Sequence, residues 1–276
     1  PDGELEARIR SDPEGAAEWA HALTMARFSP HVNYWQIANE IMQSPDGLPL
    51  LTRFELRRMQ LARTALFFCA IFAFSVGNPD LPNGDRLGVW RLTLPALQEA
   101  ERSGHVVAIH QYGKPDLFTP DQDWYGFRLE HQVLNRIPYK KVKFAISEYG
   151  IDGLINGAEP MGWQDFTTTQ DYAGQLARTG RYAERYSGRV VGYSVFTLGA
   201  NAPWFSYDIN GPVADLLATQ PRGTWQDVAT EGTGIQPGGL AIITTLPGGD
   251  AGPLVEPGTE SPASEEPTGE ASDGQQ

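Results

Sequence analysis

Five apolar segments, 32–40, 70–76, 105–112, 142–148 and 190–198, recur along the chain with helical patterns between them. A strand that is hydrophobic along its whole length has no polar face for water, so it belongs in a parallel sheet covered on both sides. Strands alternating with helices imply βαβ units and an α/β fold. The first helix opens at Asp12-Pro13, with Asp as cap and Pro at the first helical position. Trp19, Leu23 and Ala26 then share one face, and Ser29-Pro30 ends it. Further helices are predicted over 52–68, about 90–102, about 124–137, about 169–187 and 210–219. Residues 1–12 are polar and carry no clear pattern.

Two of the strands stop abruptly in a carboxylate. One reads Val32-Asn33-Tyr34-Trp35-Gln36-Ile37-Ala38-Asn39-Glu40, and the other Phe144-Ala145-Ile146-Ser147-Glu148-Tyr149-Gly150. In α/β barrels chemistry gathers at the C-terminal strand ends. A lone strand-end glutamate reads as a solvated carboxylate or a helix cap. Two of them, 108 positions apart with two strands between, suit the carboxyl pair of a glycosidase. Between them Ile109-His110-Gln111-Tyr112-Gly113 puts His110 and Tyr112 on one side of its strand by the two-residue period. A phenol donating to Glu148 would favour the ionised carboxylate that a nucleophile needs.

At these residues the chain resembles the clan A glycoside hydrolases, and family 5 in particular. These are (β/α)8 barrels with Asn-Glu ending strand 4, His-x-Tyr ending strand 6 and Glu ending strand 7. The resemblance implies retaining hydrolysis of a β-linked oligo- or polysaccharide. Glu40 matches the acid/base and Glu148 the nucleophile. Asn39 matches the amide that bonds the sugar 2-hydroxyl, and Tyr112 the residue that holds the nucleophile. In that role Glu40 is expected to have its pKa raised by burial and by the charge of Glu148. The clan often ends strand 8 in Trp, where this chain reads Val195-Phe196-Thr197, with Trp204 a few residues on as the replacement. Trp124, Tyr125, Tyr149 and Trp163 are further rings that could stack on sugars or simply pack.

If 32–40 corresponds to strand 4, the five strands are strands 4–8, and the expected fold is a partial TIM barrel lacking strands 1–3. An open five-stranded sheet is the competing account. The barrel portion is expected over 1–221, followed by an acidic linker or tail rich in Pro, Gly, Ser and Thr at 222–276. That tail is expected to be disordered and to lead toward a further module.

Charge and composition exclude other classes. The net charge is −13, but residues 231–276 hold eight acids and no Lys or Arg. The remainder carries about −5, an ordinary surface without the basic patch that nucleic acid requires. The apolar run 66–76 is too short to span a membrane. The single cysteine, Cys69, lies in an apolar strand and reads as a buried, inert thiol. HExxH, Walker and CxxC motifs are absent, so neither a metal nor another cofactor is expected. Localisation stays open, an extracellular or cell-surface place being consistent with a carbohydrate substrate. A rival from another class is a non-catalytic carbohydrate-binding or scaffold protein on a decayed barrel.

Overall fold

The computed structural model describes residues 2–80, 87–118, 125–153 and 160–219. The predicted tail, 222–276, and Trp124 lie outside them. Helices α1 (Asp2–Ser11) and α2 (Pro13–Ala26) lead to β1 (Tyr34–Gln36), then α3 (Leu48–Thr64) and β2 (Phe68–Phe74). α4 (Leu94–Ser103), β3 (Val106–Gly113), α5 (Leu134–Arg136) and β4 (Lys143–Ile151) follow, then α6 (Thr169–Ala183), β5 (Val190–Val195) and α7 (Pro212–Ala218). All four strand pairings are parallel, in the order β1-β2-β3-β4-β5, and the sheet curls into a half-barrel. Each crossover advances one strand in the same direction, so every strand's C-terminal end lies along one rim.

The two faces of the sheet have different company. Cys69, Ile71, Phe74, Val107, Ile109, Phe144 and Ile146 pack with the helices in the main core. Ala70, Ala73, Val106, Ala108 and Ala145 form a separate cluster with no helical member, flanked by Tyr34 and Val191. Small side chains on that concave face leave room for polar groups at the rim.

Local chemistry fixes the helix ends. Asp12 accepts the amide of Gly15 at 3.1 Å, and a Cβ on Gly15 would lie 2.4 Å from the Asp12 carboxylate, so cap and glycine are matched. Asp12→Ala is expected to cost about 1 kcal/mol, lowering the melting temperature by roughly 2–4 °C; calorimetry checks this. Thr168 caps α6 through the amide of Asp171, and Gly104 ends α4 at φ +78.

Several elements differ from expectation. Residues 2–11 are helical because Leu5 and Ile9, one turn apart, are buried while Glu4–Arg8 and Glu6–Arg10 pair on the outer face. β1 is only three residues long, and residues 37–39 leave the sheet before Glu40. The predicted 124–137 helix is a π-turn over Leu129–Val133 running into short α5. There Gln111, on the helix side of β3, accepts the Leu129 amide and donates to the buried Glu130. Cys69 is buried as expected, and burial pushes its thiol up to about 11. Among the described residues no helix is long and apolar enough to cross a membrane.

Candidate active site

Two bulges prepare the rim. Opposite β3, strand β4 pairs Ile146 with Ile109 and then Glu148 with His110, so Ser147 is an extra residue. Strict alternation from Ala145 would aim Ser147 at the concave face and Glu148 at the helices. The extra residue reverses this and puts Glu148 beside His110. β2 has a matching irregularity between Ile71 and Phe74. There Phe72 (φ +74) and Ala73 (φ +50) are left-handed, a conformation costing roughly 1–2 kcal/mol per non-glycine residue.

The β2 bulge is held from behind. Glu55 of α3, fully buried, accepts the Phe72 amide at 3.0 Å and pairs with Arg58 at 3.0 Å. Arg58 also donates to the carbonyl of Trp35 in β1 at 2.9 Å. In front of the bulge, the Ala73 carbonyl accepts the Glu40 amide at 3.0 Å. Glu40 is itself left-handed, at φ +54. The bulge thus turns the chain after β1 back toward the rim.

Four of the predicted residues meet there. Nδ1 of His110 and Oε1 of Glu40 are hydrogen-bonded across 2.6 Å, and the same nitrogen lies 3.4 Å from Oε2 of Glu148. Tyr112 donates to Oε2 of Glu148 at 2.9 Å. One oxygen from each glutamate and a ring nitrogen of His110 all lie within 4.8 Å of one another. Beside Tyr112, residue 150 is glycine and leaves room for Tyr172: a Cβ there would stand 2.9 Å from the Tyr172 hydroxyl, while its 3.7 Å to the Tyr112 ring would be an ordinary contact. Asn39 immediately precedes Glu40 in the chain, its side-chain oxygen accepting from Gln36 Nε2 at 3.1 Å.

Electrostatics divide the two carboxylates. Burial raises the Glu148 pKa, and the charge of Glu40 pushes the same way, while His110 and the Tyr112 hydrogen bond oppose it. The expected effect of Tyr112 is therefore present but outweighed by desolvation. Tyr112, buried beside this carboxylate, is pushed far up and stays a neutral donor. The burial expected of Glu40 is not found: its side chain is 43% exposed, against 17% for Glu148. Left-handed backbone outside the strand carries it into the open mouth of the cluster.

The predicted aromatics separate. Phe196, at the end of β5, packs edge-on to Tyr112 at 6.3 Å, and Trp204 packs edge-on to Phe196 at 5.7 Å. Trp204 therefore reaches the cluster through Phe196, and Tyr207 closes the group at 5.3 Å from Trp204. Trp163 is buried and stacked on Tyr172 at 5.0 Å. Tyr149 points to the helices, with its hydroxyl 3.0 Å from Thr179 Oγ1. Both are packing residues. Asp152, whose carboxylate accepts from Tyr207 at 2.5 Å and whose charge reaches Glu148, follows the strand in a polar loop, where no sequence pattern marks it.

Compared with known proteins, the chain matches no protein-family model, no curated protein and no solved structure.

Proposed function

We propose that the protein is a retaining hydrolase of β-glycosidic bonds, with Glu148 as nucleophile and Glu40 as acid/base, on the strand 4–8 portion of a TIM-type barrel. The observation that carries the reading is the approach of the two carboxylates within 4.8 Å, with Tyr112 bonded to one and His110 to the other. Retaining enzymes separate their carboxyls by about 5–5.5 Å, whereas inverting enzymes leave about 6.5–9.5 Å for a water. The more enclosed Glu148 suits attack on the anomeric carbon, sheltered from solvent. Exposed Glu40 suits an acid that gives its proton to the leaving oxygen and later takes one from water. Asn39 would bond the sugar 2-hydroxyl, and Phe196 with Trp204 would supply the apolar wall of the sugar site.

Following hydrolysis of aryl β-glycosides and β-linked oligosaccharides by proton NMR tests this, with the β-anomer expected as first product. A first product of opposite configuration would sink the retaining assignment, and no cleavage of any β-glycoside the hydrolase itself. Glu40→Ala is expected to slow substrates with poor leaving groups by roughly 10²–10⁴-fold, the usual worth of a general acid. Activated aryl glycosides need little protonation and should lose far less. Equal losses for both would give Glu40 another role.

A second reading draws on the same triangle. Glu40, His110 and Glu148 offer one ligand atom each to a divalent cation, which would take the place of the hydrogen bond between Glu40 and His110. Activity lost to a chelator and restored by a divalent metal would favour that reading; chelator-resistant activity favours the glycosidase.

A further inference from the structure

We propose that Gln43 is a positioning residue that aims the Glu40 carboxylate; this rests on reading Glu40 as the acid/base. Exposed Glu40 has little packing to orient it besides the His110 hydrogen bond, and its reach to that ring depends on the backbone that carries it. That backbone is left-handed at Glu40 and again at Met42, where φ is +52. L-residues leave this region unless their surroundings hold them.

Both backbone polar groups of Glu40 are held. Its N–H donates to Ala73, and its carbonyl accepts from Gln43 Nε2 at 2.9 Å. Gln43 does not rely on Glu40 for its own orientation. Its Nε2 also donates to Ser75 Oγ at 3.0 Å, and its Oε1 accepts the Ser75 amide at 2.8 Å. Ser75 Oγ is fixed in turn by Asn78 Nδ2 at 3.0 Å. One carboxamide thus joins the turn carrying Glu40 to the exit of β2. The carboxamide carries the donor for the Glu40 carbonyl and the acceptor for the Ser75 N–H on one short, planar group, and an ionised carboxylate lacks the donor. Without the donor, the Glu40 carbonyl is free to rotate, φ relaxes, and the carboxylate swings away from His110 and Glu148.

Two variants test the proposal in the full chain. Gln43→Ala removes the link, and Gln43→Glu keeps the size and the acceptor for Ser75 but lacks the donor. The first readout is the ¹⁵N resonance of His110 Nδ1, which reports its hydrogen bond to Glu40, with Glu40→Ala as the reference for its loss. Both variants are expected to move this resonance toward the reference while keeping a cooperative thermal transition. The second readout is turnover: poor-leaving-group substrates should slow by roughly 10²-fold, the usual effect of a displacement of about 1 Å, with activated aryl glycosides less affected. A His110 resonance and a leaving-group dependence both unchanged in folded Gln43→Glu would overturn the proposal. Were the unaltered protein to cleave no glycoside, the hydrolase reading would fall, and the imidazole resonance alone would decide whether Gln43 aims Glu40.

Discussion

Glu148→Gly is expected to abolish glycoside hydrolysis, and added azide to restore cleavage of the glycosidic bond with a glycosyl azide of inverted configuration as product. The carboxylate sits at the rim of β4 because Ser147 is an extra residue opposite β3. Tyr112 holds one of its oxygens at 2.9 Å. Removing it takes away the group that would attack the anomeric carbon but leaves Glu40 and His110 in place. A small anion in the vacated space can then attack from the same face, and with no glycosyl-enzyme intermediate to hydrolyse, one inversion replaces two. Glu148 must be ionised to attack, and burial raises its pKa. The rate in the unaltered protein should therefore rise with pH through a value above the ordinary carboxylate range, and this acid limb should be absent from the azide-rescued variant. Unchanged turnover in Glu148→Gly would remove the residue from the mechanism. Loss of activity without azide rescue, in a variant that still binds the sugar, would argue for a metal ligand instead.

The sheet was legible in the sequence because parallel strands covered on both faces leave unbroken apolar runs. Phe68–Phe74 is such a run and Val106–Ile109 begins another, and β2 and β3 lie within two residues of their expected limits. α1 was hidden because its buried stripe is only Leu5 and Ile9 in a polar segment. The meeting of Glu40, His110, Tyr112 and Glu148 was anticipated from strand ends and a resemblance, but the backbone that brings them together was not. Alternation alone would have turned Glu148 toward the helices; a single extra residue corrects it, and no composition marks Ser147 as that residue. The left-handed conformations of Glu40, Phe72 and Ala73 are likewise unreadable. Glu55, which accepts the Phe72 amide from 17 residues away, and Gln43, which reaches both Glu40 and Ser75, lie against them through side chains that no apolar pattern marks.

The buried Glu55 sets the largest expected loss of stability. Arg58→Met leaves the Glu55 carboxylate fully buried without its ion partner, and breaking a buried pair in this way costs about 3–5 kcal/mol. For a domain of this size each kcal/mol shifts the melting temperature by roughly 2–4 °C, so a fall of roughly 6–20 °C is expected by calorimetry. Burial already raises the pKa of Glu55, with Arg58 and the Phe72 amide opposing it. Losing Arg58 raises it further. A carboxyl whose folded pKa exceeds its unfolded value binds more protons when folded, so stability falls as pH rises from the unfolded value through the folded one. The deficit of Arg58→Met should accordingly be largest at neutral pH and shrink toward the ordinary carboxylate range. Adding Glu55→Gln removes the stranded charge yet keeps an oxygen for the Phe72 amide. The double variant should therefore recover most of the loss, short of the roughly 0.5–1.5 kcal/mol for the hydrogen bond to Trp35. A single variant that loses less than about 1 kcal/mol would show that the pair contributes little. The effect should also reach the site: Phe72 and Ala73 form the bulge that meets Glu40. In Arg58→Met the His110 Nδ1 resonance should broaden at neutral pH and sharpen again when Glu55→Gln is added.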